Sequence, residues 1–341
     1  MAKLVRVVAA VCCVVVLASA TCWPAPKVVR EIELPGFPGA PFRPRIAGDW
    51  VVAIQNVDDK ACASTAKGVI AYNIATGQTY TVFNENAGWP DIAGNLAVWT
   101  GKSFNIKGFC TLKGDRSGSS VPSNLILVDV TNWRYYTPPL ATGPAFAPVA
   151  WGNYIAYEGK NKQVYVIEMN TGVQTQVSRG DGKHGNPAIG PDLVVWEEYT
   201  DKRQIRGFRI SNGEQLTITD DPGAEHCGPR TDGATVVWWG NSEGVSAYSV
   251  ATGVRTQITK SGFYADVDNG IAVYLKSVTG VTAVYGCDLT TGEEFRISSG
   301  KADAGPSIDN GRVIWCNDGK IYCAVLESQK AAHGKPVGTL P

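Results

Sequence analysis

Two of the chain's three histidines, His184 and His226, each stand three residues before a proline, Pro187 and Pro229. Carboxylates crowd the same segments: Asp181, Asp220, Asp221 and Glu225, with Asp303 at the matching place before Pro306. Imidazole beside carboxylate is a donor set for a metal ion and a pair suited to proton transfer near neutral pH. A repeat that duplicates one loop residue produces the same pattern without any chemistry, so both readings stay open. Arg179-Gly180-Asp181 is an Arg-Gly-Asp tripeptide, of a length that chance supplies often. The expectation is of no Gly-x-Ser-x-Gly elbow, phosphate-binding loop or His-Glu-x-x-His pair. No Cys-x-x-Cys occurs, which excludes a zinc ribbon and a thioredoxin-type site.

The elements that must carry these residues come from one repeated pattern. Pro44-Arg-Ile-Ala-Gly-Asp-Trp-Val-Val-Ala53 returns from Pro90, Pro148, Pro187, Pro229, Ala265 and Pro306, ungapped over ten positions. Nine residues on stands an aromatic in six copies: Trp99, Tyr157, Trp196, Trp238, Tyr274 and Trp315. The proline opens a strand where its missing N–H costs least. A turn pair such as Asn269-Gly270 or Asn310-Gly311 follows. Next comes an apolar run such as Val194-Val-Trp196, which reads as a strand buried on both faces. A second hairpin closes each unit, for example Ile70-Ala-Tyr-Asn-Ile-Ala-Thr-Gly77 and then Thr79 to Val82. Four strands in roughly 40 residues is the arithmetic of a β-propeller blade. The seventh unit supplies three strands, and a spare strand, residues 28–34, lies at the other end. The sequence therefore predicts an all-β, seven-bladed propeller of four-stranded antiparallel blades, with the N-terminal strand closing the last blade. Glycine is 38 of 341 residues, above the usual ~7%, as so many turns require.

This Pro-x-Ile-x-Gly-Asp-x-Val-Val-Trp … Asp-x-x-Thr-Gly grammar resembles that of the TolB-like, WD-repeat-like propellers of bacterial and archaeal envelopes. It covers roughly residues 44–328. It departs from TolB itself, which has six blades behind an N-terminal domain, and it lacks the Ser-Pro-Asp-Gly turn. The resemblance implies an exported binding protein whose partner is an envelope or extracellular protein, or a glycan.

The scheduled aromatics are read as core. Off the schedule stand Trp50, Trp89, Trp133 and Trp239. Trp89 belongs to a set defined by the repeat, the residues just before each opening position: Arg43, Trp89, Ala147, Asn186, Gly228, Tyr264 and Gly305. In a propeller these enter the innermost strands and ring the channel mouth. Aromatic, basic and amide members together suit a sugar or a peptide. The candidate ligand-binding residues are Arg43, Trp89, His184, Asn186, His226 and Tyr264, with Trp89 stacking, Arg43 pairing an anion and the histidines lending pH sensitivity. The competing reading is ordinary loop residues covering the mouth. No catalytic residue, metal or cofactor is assigned. An enzyme acting on polysaccharide, a lyase or hydrolase on the same face, is the alternative function.

Charged residues balance at 31 basic and 31 acidic, so nothing points to nucleic acid. Residues 1–20 read as a secretory signal peptide: Lys3 and Arg6, an apolar run, then Ala18-Ser19-Ala20. Lipidation at Cys22 is the rival reading, which Thr21 fits poorly. The propeller is assigned to residues 21–328 and a flexible tail to 329–341. No later stretch is long and apolar enough to span a membrane. The expectation is a secreted monomer in the periplasm, at the cell surface or outside the cell. An oxidising compartment allows disulfides. Cys62 and Cys110 fall in corresponding loops of neighbouring units and are predicted to pair. Cys316 and Cys323 flank a two-residue turn, diagonal to one another, and that pair stays open.

Overall fold

A computed structural model describes residues 26–37, 41–57, 66–84, 87–101, 104–106, 125–138, 140 and 143–327. They form seven antiparallel sheets. In chain order the blades open with the inner strands Phe42–Ala47, Gly88–Ala93, Phe146–Trp151, Lys183–Gly190, Cys227–Thr231, Gly262–Asp268 and Ala304–Asp309. The turn residues behave as their types require. Asn269 and Gly270 have φ of 49° and 77°, and Asn310 and Gly311 have 48° and 71°. Successive left-handed residues are what a tight hairpin turn between twisted strands needs.

Ring closure is as predicted. Val28–Leu34 pairs antiparallel with Lys320–Leu326, outermost in the sheet that ends on Ala304–Asp309. The Glu31 carboxylate accepts from the Ser299 N–H and Oγ at 2.9 and 3.1 Å, and Lys320 meets Glu33 at 2.9 Å. At the inner edge, Asp309 Oδ2 accepts the Gly48 N–H at 2.7 Å, joining the last blade to the first. Similar carboxylate staples run from Asp91 to the Ala150 N–H and from Asp266 to the Ile308 N–H.

One blade has more strands than the repeat predicts. The insertion in the second unit sends Phe104–Ile106 back to the first blade, where it adds a fifth strand beside Thr79–Asn84, with Val82 opposite Ile106. The core lies between neighbouring blades. Val52 and Ala71 of the first meet Ile92 and Trp99 of the second. All six scheduled aromatics are at most 1% exposed, one in each of six blade interfaces, while the interface of the last blade with the first has Ala53 at that place and packs Phe37 and Tyr72 instead.

Candidate functional site

Every inner strand carries the same irregularity. Pairing with the second strand slips by one residue across the opening position: Phe42/Arg45, Gly88/Asp91, Phe146/Val149, Gly185/Ala188, Cys227/Arg230, Phe263/Asp266 and Ala304/Ser307. The proline that cannot donate sits inside each of these bulges but the sixth. The residue before it is thrown into left-handed backbone. Arg43, Trp89, Ala147, Asn186 and Tyr264 have φ between 44° and 54°, and Gly228 has 59°. For a residue with a side chain this costs roughly 1–2 kcal/mol. Five side chains are held in that conformation at one rim, and such strain is stored where a bulge re-aims a side chain.

These residues surround a cavity of about 700 Å³ lined from all seven blades. Arg43, Trp89, Asn186 and Tyr264 all line it. The Arg43 guanidinium lies over the Trp89 ring at 3.7 Å from its centroid, a cation–π stack. Trp89 is 44% exposed and Tyr264 52%. Tyr264 meets Trp239 edge-on, centroids 5.3 Å apart. Two glycines make this wall fit. A Cβ at Gly228 would lie 2.8 Å from Trp239 Nε1, and one at Gly305 would lie 2.8 Å from Tyr264 Cβ.

The adjoining wall is acidic, and the repeat did not single it out. Glu158 and Glu197 directly follow the scheduled Tyr157 and Trp196, and Trp239 holds the same place after Trp238. Each pairs with the residue just ahead of the bulge: Phe146 with Glu158, Gly185 with Glu197, Cys227 with Trp239. That register aims them at the mouth. A glutamate ending an apolar strand was the available signal. Glu197 is 2% exposed. Its Oε1 accepts from Asn186 Nδ2 at 2.9 Å and from the Gly228 N–H at 2.7 Å, with Arg203 at 3.8 Å. Lys162 donates to Glu158 at 2.5 Å. Burial raises the Tyr199 hydroxyl well above its ordinary value, and the adjacent Glu197 carboxylate, to which it hydrogen-bonds, adds to the rise. Both carboxylates thus already accept donors, Glu197 two and Glu158 the Lys162 ammonium. On the floor, Arg45 stands 3.8 Å from Asp91, and burial pulls the Arg230 guanidinium down to about 10.

The histidines are not at the mouth. His184 is 1% exposed and His226 0%, and neither lines the cavity. Trp196 Nε1 donates to His184 Nδ1 at 3.2 Å, and Trp238 Nε1 donates to His226 Nδ1 at 3.1 Å. Their role is to satisfy a buried indole. The second blade shows the consequence of lacking one. Ala87 stands at the histidine's place, and Trp99 Nε1 has no hydrogen-bond partner among the described residues. Register explains the pairing: His184 lies opposite Glu198, two residues beyond Trp196, so imidazole and indole share one blade face. Burial lowers the proton affinity of both imidazoles, partly offset by Glu198 and Glu243.

Asp221, His226 and Glu243 bring metal-ligand atoms within 4.8 Å of one another. The donor set does not suit a cation. The indole N–H uses the Nδ1 lone pair and so leaves the proton on Nε2, and Arg255 is already bonded to Glu243. Gly240-Asn241-Ser242-Glu243-Gly244 matches a Gly-x-Ser-x-Gly sequence. It spans the turn between strands Thr235–Gly240 and Gly244–Ser249, not the strand-to-helix elbow that exposes a nucleophile.

The predicted Cys62–Cys110 pair lies outside the described residues. Cys316 and Cys323 are both free thiols and buried, as are Cys227 and Cys287. Cys316 faces Ile321 and Cys323 faces Ile314, the diagonal arrangement expected.

No family model matches the chain, and no curated protein matches it. Solved structures do. The propeller domain of a Pyrococcus furiosus trilobed protease, described as having an open velcro topology, superposes at a TM-score of 0.61 with 10% identity, over 87% of this chain and 96% of its own. Acylaminoacyl peptidase of Pyrococcus horikoshii gives 0.60 and 14%, over 87% of this chain and 53% of its own. A puromycin-hydrolyzing peptidase of Mycobacterium tuberculosis gives 0.57 and 12%, over 81% and 48%. The chain thus spans about half the length of these two peptidases. At such identities the likeness is one of fold. Among the described residues no helix is long and apolar enough to cross a membrane.

Proposed function

We propose that this is an exported, non-enzymatic binding propeller that takes a protein or glycan partner through the channel mouth ringed by the bulge residues. One observation carries the reading. Arg43, Trp89, Asn186 and Tyr264, equivalent positions in four blades, are all held in left-handed backbone around one cavity. Backbone strain repeated at a rim, with a tryptophan and a tyrosine left exposed there, is what a preformed recognition surface needs. The fold does not require it, since Gly305 holds the same place in the seventh blade without left-handed backbone. The structurally similar peptidases act on peptides, which is consistent with a peptide among the ligands. Export and a monomeric state belong to this proposal, as does likeness to the envelope propellers.

Glu158 and Glu197 on one wall favour a second reading, a polysaccharide lyase or hydrolase using two carboxylates. Against it, each is already engaged by cations or N–H donors. An array of glycans and peptides, probed with and without chelator, separates the two. Binding that persists in chelator, without product, is expected. Product formation that Glu197→Gln abolishes would overturn the binding reading.

A further inference from the structure

We propose that Arg43 is the anion-recognising end of this site and that its partner is the C-terminal carboxylate of a polypeptide entering along the ring axis. The inference rests on the binding reading above and narrows it to one ligand group.

The cations lining the cavity are not equivalent. Lys162 is paired with Glu158, Arg203 with Glu225 and Glu197, and Arg45 stands beside Asp91. Among the described residues Arg43 has no carboxylate within ion-pair distance. Its guanidinium lies over the face of Trp89. A guanidinium stacked flat on a ring keeps its edge donors free, in the forked geometry that matches a carboxylate. The protein holds this arrangement on left-handed backbone, φ 53°.

The surroundings strengthen the case for an anion. Arg45 and Arg230 both line the cavity, and Arg45 opposes protonation of Arg230. The nearby acids are already committed: Asp91 accepts the Ala150 N–H, and Asp266 the Ile308 N–H. Glu158 and Glu197 belong to the third and fourth blades and face Lys162 and Arg203 there. The rim of the first blade therefore carries a guanidinium with no carboxylate partner among the described residues, close to Arg45.

Shape selects the source of the carboxylate. Because all seven blades line the cavity, a ligand enters end-on rather than lying in an open groove. A polypeptide ends in a carboxylate, whereas a neutral glycan carries no charge at its end. Beside Arg43, the Tyr264 and Trp239 wall, kept open by Gly305 and Gly228, accepts the last side chain.

The test uses the whole chain and three probes: N-acetylphenylalanine, its C-terminal amide, and galacturonic acid. The readout is the Trp89 indole N–H resonance, assigned with Trp89→Phe. N-acetylphenylalanine is expected to shift it, with the amide binding about tenfold or more weakly. Arg43→Gln should weaken the acid by the same factor and leave the amide unchanged, with melting close to wild type. Should Arg43→Gln fail to fold, Arg43→Lys keeps the charge without the fork and is expected to lose part of the discrimination. Equal titration by acid and amide overturns the proposal. So does a shift with galacturonic acid but not with N-acetylphenylalanine, which would assign the anion to a sugar. No shift with any probe also overturns it, while array binding that depends on Trp89 would leave the broader binding reading standing.

Discussion

Gly228 and Arg43 occupy the same bulge position in two blades, so opposite exchanges at the two sites test whether the rim is strained. Gly228→Ala places a Cβ at φ 59°, 2.8 Å from Trp239 Nε1. Left-handed backbone costs about 1–2 kcal/mol and the overlap about 1–3 kcal/mol, offset by about 0.4–1 kcal/mol from a stiffer unfolded chain. The net is a loss of about 1–5 kcal/mol, or about 2–20 °C in Tm at roughly 2–4 °C per kcal/mol. Arg43→Gly works the other way. It relieves about 1–2 kcal/mol of backbone strain, and loses about 0.5–1 kcal/mol of cation–π contact and a similar amount to glycine's unfolded freedom. Its Tm should stay within about 4 °C of wild type. Thermal unfolding followed by circular dichroism decides both. A Gly228→Ala protein that melts like wild type, or an Arg43→Gly protein that falls as far as Gly228→Ala, would refute the strained-rim account.

Acid should destabilise the ring through its buried histidines. Both imidazoles have proton affinities lowered by burial, so as pH falls through their ordinary value of 6.5 the unfolded chain takes up protons first. Stability is lost from there down to the depressed folded values, by about 1.4 kcal/mol per pH unit for each histidine; equal urea midpoints at pH 7 and pH 5.5 would contradict this. Removing residues 26–36 takes away the strand that completes the seventh blade and bares the edge at Lys320–Leu326. That variant should melt at least 10 °C lower, by roughly 3 kcal/mol or more, or be recovered aggregated, and an unchanged melting curve would show that the clasp is dispensable. Burial raises the thiols of Cys227, Cys287 and Cys323 to about 11 and that of Cys316 to about 12. Native protein should therefore leave these four unlabelled by iodoacetamide at pH 8 and expose them on unfolding, as peptide mapping will show.

The blade count and the clasp were legible because each rests on local grammar. A proline that cannot donate, a turn pair and an apolar run recur in fixed order, and residues 28–34 had no other unit to complete. The rim was legible for the same reason, since Arg43, Trp89, Asn186 and Tyr264 precede the opening position in their own blades. His184 and His226 were legible as a repeated pair but not as buried groups. Their burial follows from their place just ahead of the bulge, which sets each beside the indole twelve residues on. Reading the bulge first would have put imidazole and indole on one face. Glu158 and Glu197 were missed because they follow scheduled aromatics and look like strand ends. The added strand at residues 104–106 joins the first blade from within the second unit, a pairing across units that no local pattern encodes.

The central claim is that the bulge rim recognises a ligand, and Trp89→Ala tests it most directly when affinity and melting are measured on the same preparation. Trp89 is 44% exposed, so its removal costs the fold little. Peptides or glycans bound by the wild type on matched arrays should lose about 2 kcal/mol or more of binding, some 30-fold in Kd. Melting should shift by no more than about 4 °C, as expected for a change near 1 kcal/mol. Affinity that survives while the melting temperature collapses would show that Trp89 only packs beneath its own loop, and the rim would then not be a binding site.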